Sequence, residues 1–227
     1  MLKNHPNTAI LIFAQSASKE ARRKRWRMGH SIFRRLTNET LAKVRESGIA
    51  YVHYGEDLQS GNSFGKRFSN AVQTLFDQGY EKIITVGNDC PHLKATHLLE
   101  AAVALDKGMN VLLPATDGGF NLLGLQKEAF NPKEFEALPW QRATLCNATH
   151  DFLVQEQIDV LVLETLSDVD TVSDLATLLQ SKLLVSKKLL QLLSAAFQQS
   201  ALGWISPRTT YQTVLLKIPT NKGSPIS

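Results

Sequence analysis

The stretches KIITVGNDCP (residues 82–91) and VLLPATDGGF (residues 111–120) decide the fold. Each begins as a short apolar run, typical of a strand buried in a parallel sheet, and ends at a carboxylate beside turn-forming residues. The segment between them predicts a helix over residues 94–107, so the unit is strand, helix, strand. Ligands of open parallel sheets bind beyond the carboxyl ends of the strands. Because two acids at that edge can hold a divalent cation and, through it, a diphosphate, the pattern favours an enzyme that acts on nucleotides.

The rest of the chain alternates in the same way. Further strands are predicted at residues 8–14, 49–54, 120–125 and 160–163, and further helices at 28–47, 64–78 and 140–157; a basic loop is predicted between the first strand and the first helix. The strand at 120–125 follows its predecessor too closely for a crossover helix, so we expect it to run antiparallel or to lie at the edge of the sheet. The alternation predicts a doubly wound, three-layer α/β/α sandwich.

The character of the chain changes after about residue 180. Residues 182–199 predict an amphipathic helix rich in leucine, and residues 206–227 contain three prolines and few acids. We therefore predict an α/β domain over residues 1–180 and an appended helix with a mobile tail over 181–227. The helix packs either on its own domain, as a leucine stripe ordinarily does, or on a partner, which leaves an oligomer formed through this helix open.

Composition excludes several classes of protein. The chain has 227 residues, 43% of them hydrophobic, which is enough for one sizeable core. No apolar run approaches the roughly 18 residues that span a bilayer, and the first residues do not fit a secretion signal. Only Cys90 and Cys146 are present, and nothing in the sequence pairs them. We predict a reduced, cytoplasmic protein without a disulfide framework or a zinc site.

Positive charge is concentrated near the amino terminus. The net charge is only +4, yet residues 19–35 carry eight lysines and arginines and a single acid. Such a block suits the phosphates of a ligand, and it fits equally well the solvated face of a helix. Nucleic acid is not expected as a partner, because only Trp26 and Phe33 are available in this block for base stacking.

Three acidic segments carry the candidate chemistry, and each has a structural alternative. Pro91 forces its predecessor out of the helical region, so Asp89 points out of the sheet edge or else caps the next helix. The two glycines after Asp117 admit a ligand to the main chain, or they form a hairpin turn. In the segment DVDT, Asp168 and Asp170 either divide into one cap and one outward acid or both cap a helix.

Five motifs, taken in order, carry a family resemblance. They are QSGNSFGKR (59–67), GNDCP (87–91), PATDGGFNLLGL (114–125), LPW (138–140) and DVDTVSDL (168–175). Together they resemble the glycosyltransferase-A-like family of small bacterial proteins long classed as a domain of unknown function, some members of which are described as glycosyltransferases of arsenosugar biosynthesis. The wider superfamily contains nucleotide-diphospho-sugar transferases and nucleotidyltransferases. The resemblance covers residues 8–180 and implies the Rossmann-like mixed sheet of the GT-A type.

The resemblance also implies a set of site residues. A divalent cation, Mg²⁺ or Mn²⁺, is expected on Asp89 and Asp170, with Asp117 as the catalytic or acceptor-orienting group. Gly118 and Gly119 are expected to line the substrate side. Contacts to the nucleotide and its phosphates are expected from Ala14, Gln15, Arg23, Arg25, Gly61, Arg67 and Asn88.

The chain departs from the family pattern in the loop after the first strand. Family members have a lysine there, followed by a loop with proline and glycine, whereas this chain has QSASKEARRKRW over residues 15–26. Gln15 replaces the lysine, Arg23 replaces a second lysine, and Arg25 falls at the family arginine. Without glycines whose backbone amides cradle a phosphate, side chains must hold the anion, and arginine does so with bidentate contacts.

Three functions remain open at this level. The first is a metal-dependent glycosyltransferase that takes a nucleoside-diphosphate sugar and a small-molecule acceptor. The second is a nucleotidyltransferase on the same fold, which the lack of a glycine-rich first loop disfavours. The third is a degenerate member that binds a nucleotide without turning it over.

Overall fold

The protein is built on a central six-stranded mixed sheet. A computed structural model describes residues 5–24, 29–157, 159–169, 174 and 186–202. The strands are β1 (Thr8–Phe13), β2 (Ala50–Tyr54), β3 (Lys82–Val86), β4 (Asn110–Pro114), β5 (Phe120–Gln126) and β6 (Val160–Val162). Their order across the sheet is β2-β1-β3-β5-β4-β6. The predicted strands are present, and the α/β fold class is confirmed.

Helices cover both faces of this sheet. They are α1 (Ala17–Lys24), α2 (Gly29–Ser47), α3 (Phe64–Asp77), α4 (Ala95–Asp106), α5 (Pro132–Ala137), α6 (Leu145–Gln155) and α7 (Lys187–Leu202). On one face the core joins the sheet to α2 and α4, with Val44 and Leu98 fully buried. On the other face it joins the sheet to α3, α5 and α6, with Leu75, Phe135 and Leu153 fully buried. The result is the predicted three-layer sandwich.

Strand β5 lies in the middle of the sheet. It runs antiparallel to both β3 and β4, so the antiparallel alternative is confirmed and the edge alternative is wrong. The physical reason is burial on both faces, since Leu122, Leu123 and Leu125 are fully inaccessible to solvent. Gly124 allows close contact with β4, because a Cβ there would lie 3.1 Å from the Cβ of Val111. The antiparallel direction brings the start of β5 to the edge where β1, β3 and β4 end.

Two segments differ from the predicted loops and helices. The predicted basic loop contains the helix α1, because its alanines, lysines, arginines and glutamate favour helix and Ser16 caps it, accepting a 3.3 Å hydrogen bond from the Lys19 N–H. The helix predicted over 140–157 begins later, at Leu145. Residues 139–144 instead form a turn in which Gln141 has a φ of 62°.

The carboxyl-terminal helix α7 packs on α2. Leu189 and Leu193 are fully buried against Ile32, Phe33 and Leu36. Burial of this kind contributes about 1.5–3 kcal/mol for each leucine. The helix therefore packs on its own domain. The domain boundary near residue 180 stays a prediction, because residues 175–185 lie outside the described part of the chain.

No described helix combines the length and the apolar character that crossing a membrane requires.

Candidate functional site

A cavity of about 480 Å³ opens at the carboxyl edge of the sheet. Its floor comes from the ends of β1 and β3 and from the start of β5, and its walls come from α1, α3 and the turn before α6. The predicted site residues that line it are Ala14, Gln15, Arg23, Arg67, Asn88, Asp89, Asp117 and Gly119. Arg25 and Asp170 lie outside the described residues. Gly61 and Gly118 are not among the lining residues.

Gln59 joins the ends of the first two strands. Its side-chain amide donates hydrogen bonds to the carbonyl oxygens of Ala14, at 3.3 Å, and Tyr54, at 3.1 Å. Gly61 follows in a positive-φ conformation of 144°, and a Cβ there would lie 2.9 Å from the Arg67 amide nitrogen. The QSGNSFGKR motif therefore shapes the backbone at this end of the cavity, and Gln59, Phe64 and Arg67 of the motif line it.

The acid at the end of β3 lies beside the DVDT segment. The backbone N–H of Val169 donates a 3.0 Å hydrogen bond to the carbonyl oxygen of Asp89. Asp89 and Asp168 both line the cavity. Asn88 is buried and donates a 2.8 Å hydrogen bond to the Thr37 hydroxyl, which fixes the strand end against α2. Two segments eighty residues apart in the sequence thus meet at one rim.

Asp117 also lines the cavity, in a closed turn. The N–H of Gly119 donates a 2.8 Å hydrogen bond to Asp117 Oδ1 and so orients the carboxylate. Gly118 has a φ of 88°, and a Cβ there would lie 2.0 Å from the Ala143 carbonyl oxygen. Gly118 also accepts a 2.9 Å hydrogen bond from the Cys146 N–H at the start of α6. Only glycine fits where this turn meets the 139–144 segment.

The basic block is partly neutralised by its own acid. Glu20 lines the cavity with a side chain only 11% exposed, and its carboxylate accepts hydrogen bonds from Arg23 Nε and Nη2 at 3.2 and 2.8 Å. Lys24 is 5% exposed and donates to the Val169 carbonyl oxygen at 3.1 Å. Arg23 therefore lines the cavity as predicted, but as part of an ion pair that the sequence analysis did not identify.

Two other arginines line the wall formed by α3 and the turn before α6. Arg67 stacks its guanidinium over the Phe64 ring, 5.9 Å from the centroid, and Arg142 lies on the turn before α6. Neither guanidinium forms an ion pair with a carboxylate of the residues that the structure describes. The QSGNSFGKR motif predicted Arg67 as a site residue. Arg142 was not predicted, because residues 140–157 were expected to form a helix.

Aromatic rings form one wall of the cavity. Trp140 packs against Phe68 and Phe64, with ring centroids 4.6 and 5.1 Å apart, and its indole N–H donates a 2.7 Å hydrogen bond to the Phe135 carbonyl oxygen. Gly65 makes room for it, since a Cβ there would lie 2.6 Å from the indole. The LPW motif therefore places a fixed apolar surface in the cavity.

The thiol beside Asp89 is not a nucleophile. Burial raises the pKa of Cys90 to about 12, so the thiol is protonated at neutral pH. Burial also lowers the pKa of the nearby Lys43 and His92 side chains below their usual values. His92 is buried and is not among the residues that line the cavity.

The acids present fit a hard divalent cation. Mg²⁺ is usually bound by one or two carboxylates together with substrate phosphates and water, and Asp89 and Asp168 supply two carboxylates on adjoining segments. The described part of the chain holds no cluster of three or more histidine, cysteine, aspartate or glutamate side chains arranged for a metal. A closed protein cage is thus absent there, whereas an open site completed by a ligand's phosphates is compatible with the donors.

Residues 38–142 match the model of a family described as "Uncharacterized protein conserved in bacteria (DUF2064)". The predicted family resemblance is confirmed. The match to DUF2064 contains the QSGNSFGKR, GNDCP, PATDGGFNLLGL and LPW motifs, whereas β1 and the DVDT segment lie outside it. No curated protein matches the chain.

The chain is similar to several solved structures. A candidate nucleotide-diphospho-sugar transferase from Desulfovibrio desulfuricans G20 is similar with a TM-score of 0.69 and 23% identity, over 85% of this chain and 97% of that one. A cytidylyltransferase from Leptospira borgpetersenii serovar Hardjo-bovis has a TM-score of 0.43 and 14% identity, over 90% and 99%. Rv0371c from Mycobacterium tuberculosis H37Rv, solved with manganese, has 0.42 and 14%, over 77% and 98%. The first likeness confirms the GT-A-like fold.

Proposed function

We propose that the protein is a metal-dependent glycosyltransferase that uses a nucleoside-diphosphate sugar. The observation that carries the proposal is a single cavity at the carboxyl edge of the sheet that brings Asp89, Asp168 and Asp117 together with Arg67. Open α/β sheets bind their ligands at this edge. The cavity volume of about 480 Å³ lies in the range of small-molecule sites.

The metal would be held by Asp89 and Asp168. A bound Mg²⁺ or Mn²⁺ would supply Lewis-acid stabilisation of the negative charge on a departing diphosphate. Asp170, implied by the family resemblance, lies outside the described residues, whereas Asp168 lines the cavity beside Asp89. Asp168 is therefore proposed as a ligand beside Asp89, and the assignment of Asp170 stays a prediction.

The nucleotide would lie over the ends of β1 and β3. Ala14, Gln15 and Asn88 line that part of the cavity, and the Gln15 side-chain oxygen is buried with no hydrogen-bond partner. A buried polar atom without a partner is costly, which favours a ligand donor at this position. We expect an N–H group of the nucleobase to be the donor to this Gln15 oxygen.

Asp117 would act on the acceptor. Its carboxylate is held by the Gly119 N–H and is exposed to the cavity, so it can accept a proton from an acceptor hydroxyl or orient that hydroxyl. The aromatic wall around Trp140 gives the sugar or the acceptor an apolar surface, and the buried edges of the cavity limit access of water to the reacting bond.

Thermal-shift screening of nucleoside diphosphates and nucleotide sugars, with and without Mn²⁺, tests the proposal. A ligand that binds only the folded protein raises the melting temperature by mass action. We expect a manganese-dependent increase with at least one nucleotide, and release of the nucleoside diphosphate from one nucleotide sugar. Asp151→Asn serves as a matched control for Asp89→Asn, because Asp151 is exposed on α6. Equal shifts in wild type and Asp89→Asn would contradict the proposal.

The alternative nucleotidyltransferase would use the same cavity with a nucleoside triphosphate. The structure weakens the support for it, because the first loop holds the helix α1 and its Arg23 is paired with Glu20. Pyrophosphate release from triphosphates would favour it over the glycosyltransferase. Nucleotide binding without any turnover would favour the non-catalytic alternative.

A cytoplasmic location also belongs to the proposal. Cys90 and Cys146 are both buried and unpaired, as expected of a protein in a reducing compartment.

A further inference from the structure

Arg142 is an arginine of the cavity wall that no motif assigned. It lies in the turn of residues 139–144, between the aromatic wall and the start of α6, and it lines the cavity. The preceding Gln141 has a positive φ of 62°, a conformation that few residues other than glycine and asparagine adopt. This backbone conformation sets the direction of the chain at the position where Arg142 enters the wall.

The turn that carries Arg142 is fixed at both ends. At one end Trp140 is held by its 2.7 Å hydrogen bond to the Phe135 carbonyl oxygen and by its packing against Gly65. At the other end the Leu145 N–H donates a 3.0 Å hydrogen bond to the Arg142 carbonyl oxygen, which starts α6. The backbone beneath the guanidinium is therefore preorganised, which lowers the entropic cost of using this side chain for binding.

The position of the turn identifies the part of the cavity that Arg142 serves. The Ala143 carbonyl lies against Gly118, where a Cβ would come within 2.0 Å, so the turn adjoins the Asp117 segment. Arg142 thus belongs to the part of the cavity that holds Asp117.

The cations of the two sides differ in their partners. On the α1 side Arg23 is bound by the Glu20 carboxylate and Lys24 by the Val169 carbonyl oxygen. On the opposite wall Arg67 and Arg142 form no ion pair with any carboxylate in the described ranges. An arginine side chain that lines a cavity and has no carboxylate partner there is suited to bind an anionic group of a ligand, because its guanidinium can donate two parallel hydrogen bonds.

We propose that Arg142 forms an anion subsite for the acceptor, and that the acceptor carries a phosphate monoester. The proposal rests on the proposed function, because the word acceptor has a meaning only for a transferase. The new proposal adds the chemical class of the second substrate to the proposed function. The guanidinium would bind the phosphate in a bidentate manner and thereby place an acceptor hydroxyl at Asp117.

Binding of glycerol 3-phosphate, compared with glycerol at equal concentration and ionic strength, tests this subsite. The readout is the ligand concentration that gives half of the maximal rise in melting temperature, measured for wild type, Arg142→Ala, Arg142→Lys and Arg45→Ala. Arg45 is the matched control, because it is exposed at the far end of α2 and bonds to the Tyr51 hydroxyl. A second arm measures Mn²⁺-dependent binding of nucleoside diphosphates by the same variants.

We expect glycerol 3-phosphate to bind wild type and glycerol not to bind. Loss of a hydrogen bond between charged groups should weaken binding about tenfold in Arg142→Ala. The affinity of Arg142→Lys should lie between those of wild type and Arg142→Ala, because lysine keeps the charge but cannot make the bidentate contact. Arg45→Ala should bind glycerol 3-phosphate like wild type. Nucleoside diphosphate binding should be unchanged in Arg142→Ala. Melting temperatures without ligand show whether each variant is folded.

Three results would overturn the proposal. The first is that wild type binds glycerol and glycerol 3-phosphate equally well. The second is that wild type and Arg142→Ala bind glycerol 3-phosphate equally well. The third is a tenfold loss of nucleoside diphosphate binding in Arg142→Ala, which would assign the arginine to the donor. If no nucleoside diphosphate binds wild type, the proposed function fails. A loss confined to glycerol 3-phosphate in Arg142→Ala would then still uphold the anion subsite.

Discussion

The two edges of the sheet use charged residues in opposite ways. At the amino edge, Asp106 lies 2.7 Å from both His5 Nδ1 and Lys82 Nζ, and each of its oxygens has its own partner. At the carboxyl edge, Arg67 and Arg142 face a cavity, and no carboxylate within the described residues forms an ion pair with either of them. Charged side chains are paired with one another at the amino edge, whereas at the carboxyl edge only the α1 side is paired, through Glu20 and Arg23, and the two arginines of the opposite wall remain available to a ligand.

The electrostatics of Asp106 illustrate the closed edge. Burial opposes ionisation, but the hydrogen bonds from Lys82 and His5 outweigh it and lower the pKa of Asp106 below its usual value. A carboxyl group whose pKa is lower in the folded than in the unfolded protein contributes stability above its unfolded pKa. That contribution is lost as the pH falls through the folded-state pKa. The amino edge is therefore expected to lose stability in acid.

The largest effect is expected for Gly118→Ala at the carboxyl edge. The new Cβ would meet the Ala143 carbonyl oxygen at 2.0 Å on a backbone with a φ of 88°. Strain and overpacking together should lower the free energy of unfolding by about 3 kcal/mol. Denaturant unfolding measures this change in the free energy of unfolding. Gly79→Ala is the matched control at the amino edge, because its φ is 97° and no atom lies within 4 Å of the new Cβ.

Gly79→Ala should cost only the left-handed backbone penalty, about 1 kcal/mol. If the two variants were equally stable, the close contact between the Asp117 turn and the 139–144 turn would not exist in solution.

A smaller and pH-dependent effect is expected for Asp106→Asn. The variant should lose about 1 kcal/mol or less at pH 7, a value kept low because the Asp106 side chain is 37% exposed. The difference from wild type should shrink as the pH falls through the folded-state pKa of Asp106, where the wild-type carboxyl is protonated too. Urea unfolding between pH 7 and pH 3 checks this, and a constant difference across that range would show that the ion pairs contribute nothing.

The smallest effect is expected for Glu20→Gln. The substitution removes the carboxylate that binds Arg23 and lines the cavity, so the positive potential of the α1 side should rise. Nucleotide binding should tighten by a few fold, roughly the energy of one partly exposed ion pair. Titration calorimetry at low and high salt measures this change. Weaker binding would mean that Glu20 itself contacts the ligand.

The sequence predicts the parts of this molecule that depend on local patterns. The apolar runs that end at Asp89 and Asp117 are strands with acids at their carboxyl ends, because burial on both faces leaves a run that is apolar throughout. The central position of β5 was not predictable, because it depends on contacts with β3 and β4 that are far apart in the chain. The helix α1 was not predicted as an element, although the charge block was also compatible with the exposed face of a helix.

The site shows the same division. Motifs led to Asp89, Asn88 and Arg67, since the family pattern fixes their spacing, and all three line the cavity. Asp168 was named only as a member of the DVDT segment and Arg142 was missed, because whether an acid lines the cavity, and where a helix begins within its wall, depend on packing between distant segments. The 3.0 Å hydrogen bond from the Val169 N–H to the Asp89 carbonyl oxygen is one such contact.

Titration calorimetry of a nucleoside diphosphate in the presence of Mn²⁺, with wild type, Asp168→Asn and Asp151→Asn, tests the central claim most directly. We expect Asp168→Asn to lose at least about tenfold in affinity with Mn²⁺ and to bind like wild type without it, while Asp151→Asn stays unchanged. Equal manganese-dependent affinity in wild type and Asp168→Asn would show that the rim formed by Asp89 and Asp168 is not a metal site.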